Sequence, residues 1–143
     1  MKFNTRDFGT LELPEEEILI FKQPLFGFEQ YRRFALIHNA DIGDGMVWLQ
    51  SVDEPSLCFV LLDPDGLPGS FSPKLPDRVT ELLGEGEYFC WVLCTIPENV
   101  RKATVNLKSP VLVNPQNASA AQIMLEQDYP VRFPLSREEA TPC

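Results

Sequence analysis

What most limits the fold of this chain is how briefly any apolar run lasts. Stretches of aliphatic, β-branched and aromatic residues recur at 18–21, 34–37, 46–51, 57–62, 88–96, 104–107 and 111–113. Each is closed within a few residues by Pro, Asn or Asp, before it reaches the length of a helix. With an N-terminal hairpin and an extended C-terminal segment, about eight to ten short strands result. That spacing predicts a mainly β fold, a small antiparallel barrel or sandwich with one or two short helices, and not alternating βα units. At 143 residues, 44% of them hydrophobic, the chain is sized for one domain with a real core.

The stretch 103–117 is read as two short strands joined by a kink at Pro110, which has no N–H to give a ladder. Val105, Leu107, Val111 and Val113 share one parity, so an extended chain would turn them to one side. Thr104, Asn106, Lys108 and Asn114 take the other side, with Leu112 as an apolar exception. Asn106 and Asn114 flank the bend, and asparagine there is read as turn chemistry rather than ligand binding.

Elsewhere, residues 2–6 and 10–13 predict a hairpin around Asp7-Phe8-Gly9, and Glu15-Glu16-Glu17 a solvated turn. Gly27, between two aromatics, is expected in a backbone conformation closed to other residues. Residues 29–33 predict a single helical turn. The polar loop 38–45 ends in Asp44-Gly45, a tight-turn signal that pairs its flanking strands antiparallel. Residues 63–77 carry four prolines and two glycines, with no room for a regular element. A helix is expected within 75–83, N-capped by Asp77 or a neighbour and stopped by Gly84. Both parities of 88–96 are apolar, which predicts burial on both faces. A further strand is expected at 121–125, an extended segment at 129–134, and a loose tail at 136–143.

Net charge is −9 and unevenly placed. Residues 53–98 hold nine acidic and two basic side chains, a net of −7, whereas residues 99–143 come to +1. An acidic middle repels phosphates and argues against direct nucleic-acid binding; it suits a basic protein partner. No apolar run approaches the ~20 residues of a membrane span, and residues 1–7 have no apolar h-region, so a cytoplasmic protein is expected.

Catalytic motifs are missing. The single histidine, His38, falls in a polar loop, and there is no Gly-x-Ser-x-Gly elbow, phosphate loop or dinucleotide fingerprint. No Cys/His spacing supports zinc. Cys90 and Cys94, four apart on one strand, would lie about 13 Å apart, too far for a disulfide. With Cys58 they are read as buried small apolar residues, and Cys143 as a free thiol on the tail.

Several segments carry a family pattern. They are Ile20-Phe21 leading to Gly27-Phe28-Glu29, then Phe34-Ala35-Leu36, then Trp48-Leu49-Gln50-Ser51. Pro55 and Phe59-Val60-Leu61-Leu62-Asp63-Pro64 follow, then Thr104-Val105-Asn106-Leu107 with Pro110-Val111, Asn114 and Gln122, and last Tyr129-Pro130-Val131-Arg132. In this order and spacing across residues 1–135 the chain resembles the FliW family of flagellar assembly factors. Pro24 and Phe26 stand where that family more often has Gly and Pro, which bears on the shape of one loop.

The resemblance implies one β-barrel-like cytoplasmic domain over residues 1–135, without catalysis or cofactor. It implies binding of flagellin before export, and binding of the RNA-binding translational regulator CsrA in competition with flagellin. Flagellin export would free the protein to sequester CsrA, acting from outside the RNA site. Asp63, Asp65, Glu85 and Glu87, in the acidic middle, are the residues expected to meet CsrA. Two rival readings remain at this point: a small-ligand-binding β-barrel, which needs a roomy cavity, and an enzyme using Cys58 or Cys90, which needs a thiolate near His38.

Overall fold

The computed structural model describes residues 1–38, 45–66 and 71–135. Ten strands form among them. β1 (Lys2–Thr5) and β2 (Gly9–Glu12) make the expected N-terminal hairpin. β3 (Leu19–Gln23), β4 (Arg33–His38), β5 (Met46–Ser51), β6 (Cys58–Leu62), β7 (Phe89–Thr95), β8 (Thr104–Asn114) and β9 (Ser119–Gln122) close into a barrel, because β9 pairs with β8 on one side and β3 on the other. β10 (Phe133–Pro134) is a two-residue addition to the edge of β8. The short helix α1 (Arg78–Leu83) stands between β6 and β7.

Seven is an odd number, so antiparallel alternation cannot run all the way round a closed ring. It fails once, at β3–β9, which is parallel (Ile20 opposite Ser119, Phe21 opposite Ala120). The other six pairings of the ring are antiparallel.

The interior follows a period of two along the strands, interrupted within β8. Leu19 and Phe21, Phe34, Val47 and Leu49, Leu61, Trp91, Val111 and Val113, and Ala120 form one buried cluster, with Leu25 beside them. Phe21 and Phe34 meet edge to face at 5.1 Å. A ring of about this strand number is just wide enough for side chains to fill, and here they fill it.

The outer face is covered in three places. The β1–β2 hairpin lays Phe3 over Ala35 and Val52. α1 lays Val79 and Leu83 over Leu112, Ala121 and Ile123. Phe71, Tyr129, Phe133 and Leu135 cover Val92, Val105 and Leu107.

This arrangement corrects the parity reading of 103–117. β8 is a single strand carrying a bulge at the proline. Trp91 faces Val111 and Leu93 faces Asn106, so Val92 alone lies opposite the four residues 107–110. The surplus of three is odd, and an odd surplus turns the side chains beyond it to the other face. Val111 and Val113 therefore point into the barrel, while Val105 and Leu107 pack outside it. Leu112 is no exception once α1 is present to cover it. The asparagines do the expected turn work: Asn106 Oδ1 accepts from the Ser109 N–H at 3.0 Å across the bulge.

Other expectations fare unevenly. Gly27 has the positive φ expected of it, 90°. Residues 29–33 form no helical turn; two successive turns, Phe28 N–H to Leu25 O and Tyr31 N–H to Phe28 O, take their place. Asp77 precedes α1 but is itself helical and gives no side-chain cap, whereas Gly84, at φ 81°, ends the helix as expected. The strand expected at 121–125 is β9, which starts two residues earlier and ends three earlier. His38 is the last residue of β4, opposite Val47, and not in the loop. Residues 63–77 hold a short 3-10 turn at Pro64–Gly66. Strand β7 is buried on both faces only at its centre: Phe89 is 57% and Ile96, just past the strand, 51% exposed. The Asp44 turn and the 136–143 tail lie outside the described residues.

Candidate partner-binding surface

Antiparallel pairing brings the end of β6 and the start of β7 to the same end of the barrel, since Leu62 faces Val92. Asp63 and Asp65 follow β6 and line a hollow of about 240 Å³ with Tyr88, Phe89, Cys90 and Trp91. Asp63 Oδ1 accepts from the Asp65 N–H at 2.9 Å, which fixes the turn that carries both acids.

Glu85 and Glu87 lie on the loop from α1 to β7, both exposed. Three side chains hold that loop. Asn114 Nδ2 donates to Leu83 O at 2.7 Å and to Glu85 O at 3.4 Å. Asn117 Nδ2 donates to the same Leu83 oxygen at 2.9 Å, and Tyr88 Oη donates to Gly84 O. These bonds satisfy a carbonyl left free at the end of α1. Gly86 sits tightly over Gln116, where a Cβ would come within 3.0 Å of Oε1. The asparagines read as turn formers thus set the posture of the loop that presents two of the four predicted acids.

A second hollow of about 400 Å³ opens at the same end. Leu19, Leu36 and Val113 form its apolar part, Glu16, Glu17 and His38 its polar part, and Phe89 belongs to both hollows. An exposed aromatic ring therefore stands between two pairs of acids. Asp63 and Asp65 are two of the four acids expected to meet a partner. Glu16 and Glu17 were passed over as a solvated turn, and their exposure agrees with that reading; what brings them here is the start of β3. Phe89 was expected to be buried. Its place as first residue of β7, after the Gly84-Glu85-Gly86-Glu87 loop, was the signal that its burial would be incomplete.

The three described cysteines are free and half-buried, not fully buried as expected. Burial pushes the Cys58 thiol up to about 11, with Asp7 adding to the effect and Arg6 opposing it. Burial, and then Asp63 and Asp65, push Cys90 up to about 12. Cys94 is raised by burial alone. Each is held as the thiol, the less nucleophilic form.

Other residues of the family pattern serve the frame. Gln50 Nε2 donates to the carbonyls of Ser51, Pro55 and Leu57 at 3.1–3.3 Å, and Ser51 Oγ accepts from the Asp53 and Glu54 N–H groups. Gln122 ties the β3–β4 loop to the bulge: its Oε1 accepts from Phe26 N–H at 2.8 Å and its Nε2 donates to Ser109 O at 3.2 Å.

A closed seven-stranded barrel with a packed apolar interior and acid-lined hollows at one end places the chain among small β-barrel proteins. The FliW protein family model matches residues 2–135. The flagellar assembly factor FliW of Caldanaerobacter subterraneus subsp. tengcongensis is 30% identical over 142 residues, covering 96% of this chain and 95% of that relative. That of Lachnoclostridium phytofermentans is 31% identical over 141 residues, covering 94% and 90%. A crystal structure of the flagellar assembly factor FliW superposes with a TM-score of 0.87 at 26% identity, covering 97% of this chain and 99% of that one. The chain belongs to the FliW family of flagellar assembly factors. Among its described residues no helix is long and apolar enough to cross a membrane.

Proposed function

We propose that this protein binds flagellin and, in competition with it, the RNA-binding translational regulator CsrA, and that it works in the cytoplasm by binding alone, without catalysis. Free of flagellin, it sequesters CsrA; loaded with flagellin, it releases CsrA, so that flagellin export sets flagellin translation. Family membership across residues 2–135 carries this reading. The acid-lined end of the barrel supports it, because a net −9 protein with exposed Asp65, Glu85 and Glu87 beside an exposed Phe89 suits a basic partner with an apolar patch. The apolar cluster packed inside the barrel favours this reading over a small-ligand barrel.

The test is a binding competition with purified flagellin and CsrA. Each alone should bind, and flagellin should displace CsrA. With Asp63, Asp65, Glu85 and Glu87 changed together to the amides, association with CsrA should slow roughly tenfold at low salt, with the difference shrinking as salt screens it. Failure of the native protein to bind either partner defeats the proposal. Binding that is equally fast with and without the four charges removes this end of the barrel from it.

A further inference from the structure

Residues 71–74, Phe-Ser-Pro-Lys, belong to no helix or strand and lie over the outside of the barrel, where the side chains of Gln127 and Tyr129 hold their backbone as they would an extended segment. Gln127 Oε1 accepts from the Lys74 N–H at 2.6 Å and Gln127 Nε2 donates to Ser72 O at 3.0 Å. Tyr129 Oη accepts from the Ser72 N–H at 3.0 Å. All the N–H groups of residues 72–74 are thereby met, since Pro73 has none. The Phe71 ring meets Tyr129 edge to face at 4.7 Å and packs on the cluster of Val92, Val105 and Leu107. Gln127 and Tyr129 are themselves braced, with Lys108 Nζ donating to Gln127 O at 2.7 Å and the Leu107 N–H to Pro130 O at 3.0 Å.

A side-chain amide that offers both an acceptor and a donor to an extended backbone copies one rung of a β-ladder. Backbone bonds of that kind take any extended chain, and an adjacent apolar pocket selects among them. We propose that Gln127 and Tyr129, with the apolar cluster beneath them, form a binding site for an extended aromatic-x-Pro-x segment of a partner protein, occupied in the free protein by the chain's own residues 71–74. The aromatic ring takes the place of Phe71, and the proline keeps the segment extended with no N–H left unmet between the two clamped residues. The proposal stands apart from the flagellin and CsrA reading and uses none of the acids at the barrel end.

The experiment uses the full chain and a capped, fluorescein-labelled peptide Phe-Ser-Pro-Lys-Leu-Pro-Asp, with affinity read by anisotropy. A tethered segment competes at an effective concentration on the order of millimolar, so the native protein should bind the peptide weakly. Phe71→Ala with Ser72→Pro, which removes the internal ring and its N–H, should bind it at least tenfold tighter. Adding Gln127→Ala should reverse that gain. Equal affinity for all three proteins overturns the proposal. If the double variant does not fold, amide exchange on the native protein decides. Millimolar peptide should expose the Ser72 and Lys74 amides to exchange while Leu107 stays protected, and unchanged protection at Ser72 and Lys74 overturns the proposal.

Discussion

The two halves of β8 live in unlike surroundings. From Val111 to Val113 the strand is paired on both edges, by β7 and by β9, and its side chains divide between the barrel interior and α1. From Thr104 to Leu107 it has β7 on one edge, but on the other, among the described residues, only the two residues of β10 and a single bond to Pro130, with the Leu135 N–H donating to Ala103 O just before the strand. Its apolar residues there face outward, under half-exposed Phe71, Tyr129 and Phe133. The first half is wall; the second is an edge patched with loops. The bulge between them turns one strand from the first condition to the second. The loop carrying Glu85 and Glu87 is anchored on the wall half, at Asn114.

The largest expected effect tests that division directly. Trp91, 8% exposed, faces Val111 in the barrel interior. Trp91→Ala should cost about 3–5 kcal/mol in chemical denaturation, as for other buried aromatic truncations. Phe133→Ala, on the patched edge, removes a half-exposed ring and should cost only about 1 kcal/mol. Comparable losses at the two positions would erase the distinction. Trp91→Phe is a useful control: it keeps most of the ring and removes an indole N–H that is buried without an acceptor among the described residues.

A smaller effect is expected at Asn114, which is 1% exposed. Asn114→Ala takes a donor from the Leu83 and Glu85 carbonyls, while Asn117 still serves Leu83. A buried group left unpaired costs about 1–3 kcal/mol, and the remaining Asn117 bond places the expected loss at the lower end. The sharper readout is local: the amide of Tyr88 should exchange faster than that of Val105. If exchange rises equally at both, Asn114 supports the whole barrel and not the loop.

How much of this was legible in the sequence depended on whether a local rule decided it. The short strands, the Asp7-Phe8-Gly9 hairpin, the left-handed Gly27 and the stop at Gly84 all follow from local backbone preference, and all are present. Parity is the one local guide to which side chains of 103–117 face the interior. It failed on β8, because the number of residues in a bulge is fixed by what β7 lays opposite, which no local pattern encodes. The parallel β3–β9 pairing is likewise a consequence of closing an odd ring. At the surface, charge counting points to Asp63 and Asp65, which adjoin their own strand's end. It passed over Glu16 and Glu17, which come to that same end only through the β3–β4 side of the barrel.

The finest test uses two thiols on one strand. Cys90 lies opposite Leu112, on the wall half, and Cys94 opposite Val105, on the patched half. Burial raises both, but Asp63 and Asp65 add to the rise at Cys90 alone, taking it to about 12. A thiol whose folded value is raised keeps its proton while the unfolded chain, titrating near 8.5, gives it up. Stability should therefore fall as pH climbs from about 8.5 toward 12, and at pH 8–9 Cys90 should be alkylated more slowly than Cys94, since the thiolate is the reactive form. Asp63→Asn with Asp65→Asn removes the two charges and keeps an oxygen to accept the turn's 2.9 Å bond. Peptide mapping after timed alkylation at low salt should then show Cys90 reacting several-fold faster and Cys94 unchanged. Equal acceleration at both thiols would mean that the substitutions loosened the barrel. No acceleration at Cys90 would mean that the field of the acid pair does not reach into the wall, and that Asp63 and Asp65 act on the solvent side alone.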